Sequence, residues 1–227
     1  ALRRWRAINR PVRERLLAAG APDNAPSDAD EYLLYQTLLG TLPLEGVDEG
    51  YKERITGYMR KAMREAKLRT RWTQPDERYE NAVAGFIDTI LSPAQHADFM
   101  PDLQAMVQRV AWFGALNSLS TTLLRYTSPG VPDNYQGHEG LSLTLVDPDN
   151  RRPVDYEGLS RTLDELEALG DQATEAAATP VDGRAKLWLA WRLLTHRREQ
   201  PALLRDGAYH PLATGGAQGE HVGGLRR

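Results

Sequence analysis

Apolar positions recur at helical spacing through the first half of the chain. Leu34, Tyr35, Leu38 and Leu39 share one face of EYLLYQTLLG, a helix that Asp28 or Asp30 can cap and Gly40 can close. Ile55, Met59, Ala62, Met63 and Ala66 form a single stripe, with Arg60, Lys61, Arg64 and Lys67 on the other faces, which predicts a surface helix packed on one side. Thr73 and Asp76 have capping-box spacing, and Tyr79, Val83, Phe86, Ile87, Ile90 and Leu91 then keep helical register up to Ser92-Pro93. From Pro101 a longer helix carries Leu103, Met106, Val107, Val110, Phe113, Leu116, Leu119 and Leu123. Between Val110 and Leu124 it is nearly all small or apolar, so burial on most sides is expected. Ahead of these, residues 1–19 read as a basic helix interrupted near Pro11, followed by the turn-rich linker AGAPDNAPSDAD.

After Tyr126 the texture changes. Residues 130–135 and 141–146 are short enough for strands or extended loops, separated by Gly137 and Gly140. Helices return over 158–169 and 184–197, where Leu187, Trp188, Trp191 and Leu194 make a broad apolar face. The two tryptophans, at helical spacing among leucines, read as core rather than as a sugar platform. The last stretch, LLRDGAYHPLATGGAQGEHVGGLRR, has the look of the first hairpin of a β module. No internal repeat is present.

Composition narrows the function classes. At 227 residues the chain can bury a core as one large domain or two small ones, and a formal net charge of −3 speaks against a general nucleic-acid binder. The absence of cysteine excludes disulfides, thiolate metal sites and a cysteine nucleophile. No apolar run approaches the roughly 20 residues that span a bilayer, so no membrane partner and a cytoplasmic setting are expected. The five histidines are scattered without metal-ligand spacing, and Ser118, Ser120 and Ser128 lack a G-x-S-x-G context. Neither a metal nor an organic cofactor is therefore expected. Arg60, Lys61, Arg64, Lys67, Arg69 and Arg71 form the densest basic run, which reads as a solvated helix face. A first residue other than methionine suggests a fragment.

The chemistry is concentrated in SPGVPDNYQGHEGLSLTLVDPDNRRPVDY, residues 128–156, which gathers Asp133, Glu139, Asp147, Asp149 and Asp155 with Tyr135, His138, Tyr156, Arg151 and Arg152. Read from residue types alone, Asp147-Pro148-Asp149-Asn150 is an Asx-capped turn with both arginines on the surface. His138 beside Glu139 is either a surface pair or a proton relay.

SPGVPDNYQGHEG followed by LVDPDNRRPVDY closely resembles the maltooligosyl trehalose synthase family of the α-amylase superfamily. The similarity extends in order to DEYLLYQTLLGTLP, YMRKAMREAKLRTRWTQPDERYE and KLWLAWRLLTHRREQPALL. Asn134 departs from the family's branched apolar residue, and His138, Gly140, Leu141 and Ser142 replace a segment that more often reads Thr-Glu-Leu-Trp-Asp, which removes an aromatic platform.

The resemblance implies a mainly α chain: a helical insertion subdomain over 1–127, the last β/α unit of a TIM-type (β/α)8 barrel over 128–200, and the start of a C-terminal β domain over 201–227. It also implies an intramolecular transglucosylase that converts the reducing-end α-1,4 linkage of a maltooligosaccharide into an α,α-1,1 linkage. The family's nucleophilic aspartate, acid/base glutamate and third aspartate would precede Ala1, on an N-terminal barrel portion acting as partner. The implied substrate contacts are Tyr135, Gln136, Glu139, Asp147, Asp149, Asn150, Arg151 and Arg152. A stand-alone helical module that binds α-glucan or a protein without chemistry is the alternative, and a hydrolase of the same superfamily is a third possibility.

Overall fold

The computed structural model describes residues 1–226 and is mainly helical. Five long helices come first: α1 (Leu2–Ala18), α2 (Asp28–Thr41), α3 (Glu49–Ala66), α4 (Glu77–Ile90) and α5 (Phe99–Thr127). They are followed by α6 (Tyr156–Ala168), the short α7 (Ala173–Ala176), α8 (Arg184–Glu199) and α9 (Pro201–Asp206). A two-stranded antiparallel ribbon, β1 (His210–Pro211) with β2 (Leu225–Arg226), pairs His210 with Arg226 and Pro211 with Leu225. That hairpin lies where the tail's turn pattern puts one. Residues 130–135 and 141–146 form no strand.

The chain divides into two compact units, residues 1–111 with 143–153, and residues 112–142 with 154–227. The first unit is held by a core of α1, α2, α3, α4 and the start of α5. At its centre Trp5, Tyr35 and Phe99 meet with ring centroids 5.5, 5.9 and 5.7 Å apart, surrounded by Leu34, Leu38, Ile55, Met59, Phe86 and Ile87. Aromatic pairs in such tilted and edge-to-face contacts gain beyond their area burial. A polar chain runs through this core: Asn9 donates to the Tyr35 hydroxyl at 2.8 Å, that hydroxyl donates to Glu31 at 2.7 Å, and Arg13 closes the chain on Glu31 at 2.9 Å, while the Asn9 Oδ1 has no hydrogen-bond partner among the described residues. The second unit has a smaller core of Leu166, Ala173, Ala177 and Trp188, with Trp191 stacked on Trp188 at 4.8 Å.

Four local expectations change. Pro11 sits inside α1 without ending it. The carbonyl it leaves unpaired belongs to Ala7, which is on the exposed side of the helix where water can take over. Ser27, not Asp28 or Asp30, caps α2 by accepting from the Asp30 amide at 3.2 Å. For α4 the cap is Asp76, accepting from the Tyr79 amide at 3.0 Å, while Thr70 rather than Thr73 supports the Asp76 amide at 2.9 Å. The fourth correction is the largest. Phe99, Met100, Leu103 and Val107 of α5 join the first core, but Trp112, Phe113, Leu116, Leu123 and Leu124 are exposed by 42–66%. An apolar helix sequence records that a partner is wanted, not that the same chain supplies it. No helix is long and apolar enough to cross a membrane among the described residues.

Candidate functional site

The contiguous stretch singled out from the sequence is divided by the fold. Tyr135, Gln136 and Glu139 belong to the second unit, whereas Asp147, Asp149, Asn150, Arg151 and Arg152 belong to the first.

In the first unit the segment 143–153 is fastened to the outer face of α3. Arg54 donates through Nε and Nη2 to the two carboxylate oxygens of Asp149, at 2.8 and 2.9 Å, and Nη2 also reaches the Leu143 carbonyl at 2.8 Å. Asp149 accepts a further bond from the Leu145 amide at 2.7 Å. Its carboxyl is held below its ordinary range chiefly by the bonded Arg54 guanidinium, with the Leu145 amide and Arg152 adding to the effect against burial. One helical turn pair further along α3, Lys61 donates to the Asp147 carbonyl. The turn itself is closed by backbone bonds from Asp149 to Val146 and from Arg151 to Pro148, at 3.1 and 3.0 Å. Asp147 pairs with Arg151 on the outside, with side chains 50% and 72% exposed, and Arg152 stands 4.0 Å from Asp149. Asn150 lies half-buried inside the same turn.

This arrangement sorts the expected sugar contacts by availability. Asp149 has only 13% of its side chain exposed and is committed to Arg54, so it acts on anything outside by holding the turn. Asp147, Arg151 and Arg152 present an exposed carboxylate and two exposed guanidinium groups, which can accept from and donate to neighbouring hydroxyls.

In the second unit the chain after α5 folds back on itself. Arg125 donates to the Asn134 Oδ1 at 3.2 Å, and the Asn134 amide donates to Glu139 Oε1 at 2.9 Å. The other oxygen of Glu139 is buried with no hydrogen-bond partner among the described residues. Gly137 makes the turn possible: its φ is +78°, and a Cβ there would meet Val154 at 3.1 Å. Tyr135, 43% exposed, meets the His138 ring edge-on at 5.8 Å. Behind them Lys186 of α8 is buried, and burial, then Arg125, push its ammonium pKa down while Glu139 pulls it up. His138 is pushed down too, first by burial and then by Lys186 and Arg125. Gln136 lies exposed between Tyr135 and Gly137. The unit thus offers an exposed phenol ring, able to stack on an apolar face, and beside it a carboxylate held by Asn134.

Sequence reasoning missed Arg54, Lys61, Arg125 and Lys186. Arg54 and Lys61 sit on the polar face of an amphipathic helix, where nothing distinguishes a clamp from a solvated charge. Lys186 did leave a signal, since it is a charge at the start of an otherwise apolar helical face.

No family model matches the chain. A Mycobacterium tuberculosis protein named as a maltooligosyl trehalose synthase is 33% identical over 204 residues, which is 89% of this chain and 24% of that protein. A solved maltooligosyl trehalose synthase structure aligns over 100% of this chain and 28% of its own, with a TM-score of 0.81 and 31% identity. The structure of maltooligosyltrehalose synthase from Arthrobacter ramosus aligns over 99% of this chain and 27% of its own, at a TM-score of 0.74 and 31% identity. The chain spans about a quarter of the length of the relatives it matches. Over that span the chain is homologous to maltooligosyl trehalose synthases.

Proposed function

We propose that the chain is the C-terminal portion of an intramolecular transglucosylase that isomerises the reducing-end α-1,4 linkage of a maltooligosaccharide to an α,α-1,1 linkage. The observation that carries this reading is the alignment of the whole chain with a maltooligosyl trehalose synthase at a TM-score of 0.81, together with the ordered sequence blocks. In this reading residues 1–127 are the helical insertion, 128–200 the last β/α unit of the barrel, and 201–227 the start of the C-terminal β domain.

Retaining glycosyl transfer uses two carboxyl groups about 5–5.5 Å apart, one attacking the anomeric carbon and the other protonating the leaving oxygen. Those groups are assigned to the remaining part of the parent protein, and the isolated chain is inactive. The freed glucose must be held and turned while water is kept out, because water competes as acceptor. Tyr135, Gln136 and Glu139 supply substrate contacts, as do Asp147, Asn150, Arg151 and Arg152, whose own turn is positioned by Asp149 locked to Arg54. No metal or organic cofactor takes part, and the setting is cytoplasmic. The exposed apolar flank of α5 supports a barrel portion as partner, since large apolar surface left in water costs about 25 cal/mol per Å².

Titrating the isotopically labelled chain with maltopentaose tests the contacts. Backbone amides of 135–139 and 147–152 should shift with no change in the sugar. Release of glucose by the chain alone, or unmoved amides in both segments, would count against the proposal.

A further inference from the structure

We propose that Trp72 is a stacking platform for an α-1,4-glucan chain, a second binding site that none of the residues 135–152 takes part in. The turn between α3 and α4 is fixed from below. Arg71 and Gln74 exchange backbone hydrogen bonds at 3.3 and 3.1 Å, which places Trp72 and Thr73 at its tip. Thr70 donates to Glu80 at 2.6 Å and accepts from the Asp76 amide. Glu80, almost fully buried, is gripped by Arg64 through two bonds of 2.8 and 2.7 Å, and the same guanidinium lies over the Trp72 ring, 4.9 Å from its centroid. The indole is therefore held in place from a partly buried ion pair.

Yet it is not buried. Trp72 is 56% exposed, whereas Trp5 in the core of the same unit is 1% exposed. Fixing a large aromatic ring while leaving it wet gains little for the fold, but it removes the ordering cost for a ligand that lies on the ring. The surroundings select the ligand. A shallow groove on the same turn is lined by Arg69, Arg71, Gln74, Pro75, Asp76, Glu77 and Arg78, so that cations, an amide and carboxylates stand on the turn that also carries the ring. A glucopyranose has the matching form, with an apolar face and a rim of hydroxyls that both donate and accept.

The inference takes its ligand class from the proposed function, and the test separates the two. The five tryptophan indole N–H resonances of the chain are followed during titration with maltohexaose, with cellohexaose as control, and Trp72 is identified by the signal missing from W72F. The Trp72 signal should move saturably with maltohexaose and not with cellohexaose. W72A should bind about tenfold more weakly, and W72F, which keeps an aromatic face, should stay within about threefold of the parent. An unmoved Trp72 signal while amides of 135–139 and 147–152 shift overturns this inference and leaves the proposed function standing. Movement of Trp72 with those amides silent supports the inference and counts against the proposed contacts. Equal responses to both hexaoses, or protection of Trp72 from maltohexaose once the parent's barrel portion is bound, overturns it, the latter in favour of a protein interface.

Discussion

Removing the Arg54 side chain tests whether the 143–153 segment depends on its attachment to α3. In R54A the Asp149 carboxylate keeps the Leu145 amide but loses both guanidinium bonds, and the Leu143 carbonyl loses its partner. Breaking a fully buried ion pair costs about 3–5 kcal/mol, but here the side chains keep 18% and 13% exposure, so about 2–3 kcal/mol is expected. For a chain of this size that is a fall of roughly 5–10 °C in the melting midpoint of the first unit. Denaturant unfolding of R54A, D149N and the double variant gives the coupling, expected at about 1.5 kcal/mol or more. Hydrogen exchange at the Leu145 amide reports the same event locally and should accelerate in both single variants. The pH dependence follows from the lowered Asp149 pKa. Its contribution is present above the ordinary value of 3.8 and is lost as pH falls through the lower folded value, so R54A should flatten the acid limb of the stability curve. Additive effects below about 0.5 kcal/mol with unchanged Leu145 exchange would refute the attachment.

Other outcomes follow from the same geometry. S27A removes the α2 cap and should cost about 1 kcal/mol in denaturant unfolding, whereas D28A should cost less. K186M should raise the His138 pKa part of the way towards its ordinary 6.5, because Lys186 follows burial among the causes of its depression; an NMR titration of His138 reads this. Because His138 is charged less readily in the folded chain, stability should rise with pH from the depressed value up to about 6.5, and unfolding midpoints across that window check the sign. Replacing Phe113 and Leu116 by serine should reduce binding of a dye for apolar surface while leaving the melting midpoint within about 2 °C, since both side chains already face water.

The helices were readable because one-sided apolar stripes such as Ile55, Met59 and Met63 leave little choice of period, and all three are buried as the stripe requires. Trp188 likewise sits in a core as its leucine neighbours imply. What the sequence could not state was who covers whom. The run from Val110 to Leu124 has the composition of a buried helix, yet most of its large residues face solvent, because periodicity carries no address for the partner. Caps were misplaced by a residue or more where several oxygen-bearing side chains competed, as with Ser27 against Asp28 and Asp30. The site segment was legible as a collection of groups but not as an arrangement. Arg54 and Asp149 are 95 positions apart, and no local pattern marks that pair, so the carboxylate taken for a sugar contact is largely occupied by the protein itself.

Reconstitution is the measurement closest to the central claim. The chain is combined with the remaining portion of the parent protein and given maltopentaose, while reducing ends and the anomeric proton signals are followed. The account predicts no conversion by the chain alone, and in the combination a loss of reducing ends with growth of an α,α-1,1 signal and little free glucose. A gain of reducing ends would instead mark a hydrolase, and conversion by the chain alone would contradict the assignment of the catalytic carboxylates to the rest of the protein.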